Sequence, residues 1–322
     1  MAQPAIRNVH VDVPLTNISV AYLQSQDSFI ASKIFPIIPV EKLSNKYYKY
    51  TKNDWFRDEA QRRAGGTESA GGGYSLTTDN YSCDTFAFHK DVNDYDRNNA
   101  DTQINLNRDA TELVTQRLLL RAERQWVSDY FGISIWGTDK VGGTDFTLWS
   151  NIASGTPITD IRAGIRTIKV NTGMMPNTLV LGYDVFDVLR EHPTILDRIK
   201  YVSQLTSRNI TPDLLASVLG IERVVVADAI YATNKEGATE AYNFTHGKHA
   251  LLCYVEQNPG PLKPSAGYIF AWNGVSGGLG KTIGIKRFRM EELAAERIEG
   301  EIGFDAKVVA TDLGYFFSGA VA

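Results

Sequence analysis

Residues 51–80 read TKNDWFRDEAQRRAGGTESAGGGYSLTTDN. The stretch carries charges of both signs, consecutive glycines at 71–73 and almost no aliphatic side chains. It cannot build a core of its own. A loop this long inside a compact domain is usually functional or disordered. Strand-like runs flank it, Lys46–Tyr50 before and Tyr81–Lys90 after, and a long helical pattern, roughly Asn107–Phe131, comes soon afterwards. Flanking strands make the stretch a projecting arm rather than a linker. An arm needs something to reach, which points away from a pocket and toward self-association.

The outgoing run, KYYKY, is aromatic-rich and basic. In the return run Phe86 and Phe88 share one face and Thr85 and Ala87 the other, as a period of two requires. Together the runs predict a two-stranded ribbon. Such a ribbon is marginal alone in water, so contacts with a partner should stabilise it. The arm's charges, Arg57, Arg62 and Arg63 with Asp58, Glu59 and Glu68, are the candidates for that contact, with Tyr47 and Tyr48 at the base. The plainer reading is a solvated loop. Arginine's planar fork favours carboxylate partners at interfaces.

The helix after the ribbon has candidate caps in Asp101, Asn105 and Asn107, and Asp109 and Glu112 sit near its positive end. Leu106, Ala110, Leu113, Leu120, Val127 and Phe131 are expected to form its apolar stripe, widened by Leu119, Ala122, Trp126 and Tyr130. About 25 residues give a rod of roughly 37 Å. Gly132 is a plausible stop. Before the arm, prolines at 4, 14, 36 and 39 predict an extended segment over residues 1–40. It should pack along the body or lie across another subunit.

Residues 136–155 are rich in Gly, Ser and Thr and read as the crossing into a second lobe. There Thr156 and Pro157 open a helix carrying Ile158, Ile161, Ile165 and Ile168. A strand at Thr178–Leu181, a helix at Tyr183–Arg190, a short helix opened by Thr211-Pro212, and strands at Arg223–Ala227 and Ala250–Val255 come next. The alternation predicts an α/β lobe with a small central sheet. Asn234–Gly237 reads as a hairpin or loop tip. The tail returns to strands at Lys281–Arg289, Arg297–Val309 and Tyr315–Phe317.

Bulk properties exclude several classes. The chain has 322 residues, 43% hydrophobic and 22% charged, which is ordinary for a globular protein of two lobes. Its net charge of -4 and pI near 5.8 argue against a tight grip on nucleic acid. Cys83 and Cys253 read as small buried hydrophobes rather than a disulfide framework. No apolar run approaches the ~18 residues of a membrane helix, so a soluble chain made in a cytoplasm is expected.

Candidate chemistry is weak. Gly274–Thr282, GVSGGLGKT, looks like a phosphate loop, but Val275 stands where the motif needs glycine. The run after it reads as strand, whereas the anion site needs a helix N-terminus. His246 and His249 lie three apart without the cysteines or carboxylates of a zinc set. No GxSxG elbow surrounds a serine. Asp94/Asp96 and Glu291/Glu292 are explained by solvated faces or helix starts. No enzyme activity, metal or cofactor is expected.

The order of parts, with the stretches ASKIFPIIPVEKLSNKYYKY, TELVTQRLLLRAERQW and GFDAKVVATDLGYFFSGAV, resembles the major capsid proteins of tailed bacteriophages, the Hong Kong 97 type (HK-97-like) α+β fold. The resemblance covers nearly the whole chain and rests on architecture, since no short catalytic motif defines that family. It implies an N-arm over 1–40, an extended β-hairpin loop (E-loop) over 41–90 that lies on an adjacent subunit, and a peripheral domain over 91–155 with its spine helix. It further implies an α/β axial domain over 156–280 and peripheral return strands over 281–322. The implied partners are further copies of the chain, as hexamers and pentamers of an icosahedral shell, a portal protein, and double-stranded DNA held by loose contact. A decoration protein is a further candidate, and no membrane is implied. The chain starts at the arm, so scaffolding is expected from a separate protein or a removed segment. Some relatives crosslink a lysine of the extended loop to an asparagine. Residues 53–80 hold no lysine and no asparagine occurs after Asn273, so no covalent crosslink is expected. The alternatives are an encapsulin-like nanocompartment shell of the same fold and, in another class, a nucleotide-dependent enzyme using Gly277–Thr282.

Overall fold

The computed structural model describes residues 24–100, 104–200, 210–260, 262–275 and 284–322. Its first half runs through α1 (Ala31–Ile34), β1 (Ile37–Val40), β2 (Ser44–Tyr50), α2 (Lys52–Trp55), β3 (Leu76–Ser82), β4 (Asp84–Asn93), α3 (Asp94–Asn99) and α4 (Leu106–Tyr130). Next come β5 (Thr138–Val141), α5 (Pro157–Thr172), β6 (Thr178–Gly182), α6 (Tyr183–Glu191), α7 (Pro193–Lys200), α8 (Pro212–Leu219) and β7 (Arg223–Ala227). The rest is strands: β8 (Ile230–Ala232), β9 (Tyr242–Phe244), β10 (Ala250–Cys253), β11 (Gly267–Trp272), β12 (Gly284–Met290), β13 (Ala295–Val308) and β14 (Gly314–Ser318).

Helix α4 forms because nothing in its sequence stops it. It contains no Gly or Pro, the Asn105 side chain accepts from the Arg108 amide at 3.1 Å, and Asp109 lies in the first turn. Phe131 closes it through its own N–H, and Gly132 comes next. The buried stripe is Ala110, Val114, Leu118, Ala122, Trp126 and Tyr130, each four residues from the last. This corrects the stripe expected from sequence, in which Leu113 was a core position; Leu113 is exposed. The aliphatic count favoured Leu113, but the face that meets the strand beneath the helix is the one through Val114 and Leu118. Gly300 of β13 lies directly under Val114 and Leu118, and a Cβ there would sit 2.8 and 2.6 Å from them.

Two sheets flank this strut. In the first, β13 pairs with β12 along Ala295–Glu301, with β4 along Ala295–Phe304 and with β11 along Phe304–Val308, and β1 adds to β11 in parallel. Side chains alternate on β11. Gly267 and Ile269 face α4 and the main core, while Tyr268 and Phe270 face the opposite side. The second sheet has the order β5-β14-β10-β6-β7. β6, β10 and β14 are buried along their whole length, as strands covered on both faces are.

The strands do not divide where the sequence suggested. β4 is not the return strand of the arm; β3 is, and β4 belongs to the first sheet beside β13. Cys83 separates them and bonds back to the Leu43 carbonyl at 2.8 Å. β11, within the range assigned to the second lobe, pairs in the first sheet. β14, from the tail, and β5, from the crossing segment, pair in the second. Residues 24–40 are not extended throughout, because α1 turns within them. The phosphate-loop-like segment lies largely outside the described residues, and the chain continues from it into β12, a strand rather than a helix. Expectations for residues 1–23 and for Asp101 also lie outside the described residues.

Candidate functional site

The arm is the antiparallel pair β2–β3, in register from Ser44 with Ser82 to Tyr50 with Leu76. Its base is fixed to the first sheet on the face away from α4. Tyr81 stacks on Phe270 with centroids 4.5 Å apart, and Tyr47 packs on the same ring at 5.5 Å. The Tyr47 hydroxyl donates to the Asp79 carboxylate at 3.2 Å. Partial burial and that neighbouring carboxylate hold the Tyr47 phenol far above its usual pKa. The Ser82 amide donates to Asp305 at 2.9 Å. Tyr47 is therefore an anchor of the arm to its own body. Tyr48, on the other face of β2, is 71% exposed.

Beyond Tyr50 one more backbone bond, from the Thr51 amide to the Ser75 carbonyl at 3.3 Å, ends the pairing and aromatic contact takes over. Tyr50, Trp55 and Tyr74 have centroids 5.9–6.2 Å apart, and the Asp54 carboxylate accepts from the Ser75 amide at 2.7 Å. That amide holds the Asp54 carboxyl below its usual pKa. Trp55, Phe56 and Tyr74 are 53%, 64% and 65% exposed. The arm also touches the second lobe: Lys52 pairs with Asp312, and the Phe56 ring lies beside Gly173 at the end of α5. Sequence reasoning passed over this aromatic group. Its signal was Trp55-Phe56 and Tyr74 inside an otherwise polar loop.

The predicted tip charges all lie in exposed backbone. Arg57 reaches Glu59 at 3.5 Å, and the Arg63 guanidinium donates to the Thr67 carbonyl. For Asp58, Arg62 and Glu68 the structure records no ion pair among the described residues. The two ends of the arm thus differ: a base held by rings and backbone bonds, and a tip whose charges meet only the loop itself.

A second feature sits where α4 meets the segment entering the arm. Glu123 is fully buried, and one carboxylate oxygen accepts from the Ile30 and Ala31 amides at 2.9 and 2.8 Å. Those are unpaired donors at the start of α1, so the carboxylate clamps that helix to the strut. The other oxygen faces Nδ1 of His246 at 3.7 Å. Burial pushes the Glu123 carboxyl up to about 7, against the pull of the two amides, and drives His246 down to about 3. The Thr245 hydroxyl lies 3.1 Å from the Ala229 carbonyl and 3.0 Å from Nδ1 of neutral His246, and Nε2 has no partner among the described residues. His249 instead accepts from the Gly319 amide at 2.9 Å. Phe35, at the end of the clamped segment, packs on Tyr130 with centroids 4.5 Å apart. Among the described residues no group of three His, Cys, Asp or Glu side chains is placed to hold a metal, and no helix is long and apolar enough to cross a membrane.

No family model matches the chain. Two curated relatives match nearly end to end. The major capsid protein of Burkholderia phage BcepMu is 26% identical over 318 residues, 96% of each chain. That of Pseudomonas phage JBD67 is 26% identical over 319 residues, 97% of each chain. Among solved structures, a phage-related protein of Bordetella bronchiseptica matches with TM-score 0.68 at 21% identity, over 92% of this chain and 94% of that one. The capsid of cyanophage P-SCSP1u matches at 0.63 and 11% identity, over 99% and 98%. An encapsulin of Synechococcus elongatus matches at 0.53 and 10%, over 100% and 96%. The fold is that of the Hong Kong 97 type of shell proteins. Within that class the full-length relatives are phage proteins, and the function of this chain is that of a tailed-phage major capsid protein, a component of the virion.

Proposed function

We propose that the chain assembles as hexamers and pentamers into an icosahedral shell around double-stranded DNA, with the arm lying on an adjacent subunit. The observation that carries this reading is the asymmetry of the arm. Its base is anchored by Tyr81 and Tyr47 on Phe270, whereas Trp55, Phe56, Tyr74 and the charges Arg57, Asp58, Glu59, Arg62, Arg63 and Glu68 are exposed. Exposed aromatic side chains and arginines are the residue types enriched at protein interfaces. Many modest contacts of this kind hold a shell by multivalency. In this reading residues 1–40 are the N-arm, the α/β lobe meets its copies at the centre of each capsomer, and the chain acts as structure rather than as an enzyme. A mildly acidic surface lets packaged DNA slide, since many basic contacts would trap phosphates through counterion release. Assembly in the host cytoplasm on a separate scaffolding protein, with a portal at one vertex and room for a decoration protein, completes the proposal.

Expression of the full chain and negative-stain imaging of the product test it: closed shells are expected, and only dispersed subunits or amorphous aggregate under all conditions would count against it. Nuclease-protected DNA in particles from infected cells separates a genome container from a nanocompartment carrying enzymes. The nucleotide-enzyme alternative predicts ATP binding by soluble subunits, and none is expected.

A further inference from the structure

Arginines on the first sheet are neutralised. Arg97 pairs with Asp94 and Glu296, Arg287 with Glu296, Arg289 with Asp94, and Arg297 makes a two-pronged contact with Asp91 at 2.7 and 2.8 Å. Helix α4 is different. Arg117, Arg121 and Arg124 are exposed along one flank of it, and none has a carboxylate within ion-pair distance among the described residues. Two of them are pre-oriented by rings. The Arg121 guanidinium lies 4.5 Å from the centroid of Phe86, and that of Arg124 lies 4.7 Å from that of Tyr231. A guanidinium held over a ring still has N–H donors to offer an oxyanion. Arg121 spends one N–H on Gln125 at 2.9 Å. Asp109 lies two turns before Arg117. The other carboxylates of the same helix are engaged elsewhere: Glu112 pairs with Arg108 at 2.9 Å, Glu123 is buried against Ile30 and Ala31, and Asp129, whose carboxyl burial raises and Arg121 helps to lower, accepts from Gln125 at 2.9 Å.

The stripe also lies on a defined side of the molecule. The arm packs on Tyr268 and Phe270, and α4 packs on the opposite face of the same sheet. The base of the arm therefore sits on the face of that sheet away from α4. Positions i, i+4 and i+7 span about 10 Å of helix. A DNA strand carries one phosphate per about 3.4 Å of axis, so the stripe matches about three phosphates of a strand running beside it.

We infer that Arg117, Arg121 and Arg124 are a contact stripe for the phosphate backbone of packaged double-stranded DNA, on the side of the sheet opposite the arm. The inference rests on the shell reading and adds which residues meet the genome. It is compatible with net charge -4, because three contacts per subunit give weak, salt-sensitive, sequence-independent binding.

The test uses full-length subunits and a short fluorescent duplex, with anisotropy read across salt concentrations. Three contacts predict a slope of log affinity against log salt near about -2.7, an affinity loss of about forty-fold from about 50 to about 200 mM salt. The combined variant Arg117→Gln, Arg121→Gln, Arg124→Gln should lose most of that slope, while Arg57→Gln, Arg62→Gln, Arg63→Gln should keep it. Should the combined variant fail to fold, each single Gln variant is expected to remove about 0.9 of slope. Unchanged binding by the α4 variants, absence of salt-dependent binding by the native chain, or preferential binding of a peptide of residues 56–73 at the stripe overturns the inference. Negative-stain images of the same samples report shell formation separately: shells without duplex binding sink the stripe alone, and duplex binding without shells sinks the shell reading.

Discussion

Glu123 shows how much one buried carboxylate can be asked to do. It accepts two backbone donors at the start of α1 and leaves its second oxygen against a neutral histidine. Hydrogen bonds to a charged group contribute about 1.5–3 kcal/mol each, and an orphaned buried donor costs about 1–3 kcal/mol. Glu123→Ala strands both amides and should destabilise the subunit by about 3 kcal/mol or more, read as a lower denaturant midpoint. Glu123→Gln keeps an acceptor oxygen for both amides and should lie within about 1 kcal/mol of the native chain. Equal losses in the two variants would mean that the clamp contributes nothing.

The same pair gives a signed pH dependence. The Glu123 carboxyl titrates near 7 when folded and near 4.5 when free. The folded state therefore holds the extra proton in that window, and this contribution to stability falls as pH rises toward 7 and then levels off. His246 is lowered from 6.5 to about 3, so its contribution is lost as pH falls below 6.5. The two slopes oppose each other between 4.5 and 6.5. In Glu123→Gln only the histidine slope remains. Between about pH 7 and about pH 5 the native chain should gain stability relative to that variant, measured as the difference of their midpoints; a constant difference would rule out titration at Glu123. Lys33 lowers and Asp228 raises the carboxyl, and His249 adds to the lowering of His246.

At the scale of elements, the arm and the strut make separate predictions. Deleting Arg57–Gly73 removes exposed backbone while sparing the Tyr47 and Tyr81 anchors. The subunit should keep its circular dichroism and melting midpoint, yet shells should fail or fall sharply in yield. Normal particle yield from that deletion would end the arm's role. The strut depends on close approach. Gly300→Ala places a Cβ 2.6–2.8 Å from Leu118 and Val114, so α4 or β13 must shift. Overpacking of this kind costs about 1–3 kcal/mol, and unfolding by denaturant should show it.

For the whole molecule, the tip of the arm lacks the lysine nucleophile that a covalent crosslink through it would need. Residues 53–80 contain no lysine. Mature particles boiled in detergent should run as single subunits on a denaturing gel; a ladder of linked subunits would refute this. The lobes are interlocked: β14 from the tail completes the second sheet, β11 completes the first, and Phe35 joins α4 and Trp136 at the junction. Unfolding should accordingly be hard to divide by lobe.

Much of this was legible in the chain itself. The long helix, its Asn105 cap, the helix after Thr156-Pro157, the hairpin around Asn234–Gly237 and the projecting arm come from local rules: caps, proline and glycine placement, and a polar stretch with nothing to bury. Sequence by itself determined the long helix, the arm and most of the helices and strands after it, because those choices are made within a few residues, but it did not mark α1, β5 or β11. It did not determine that β3 rather than β4 is the arm's return strand, that Tyr47 faces its own sheet, that Glu123 clamps α1, or that three arginines stand unpaired on α4. Those belong to the tertiary structure. Strand partnership, burial of a lone charge and the meeting of residues 92 positions apart depend on long-range packing, which local pattern does not encode.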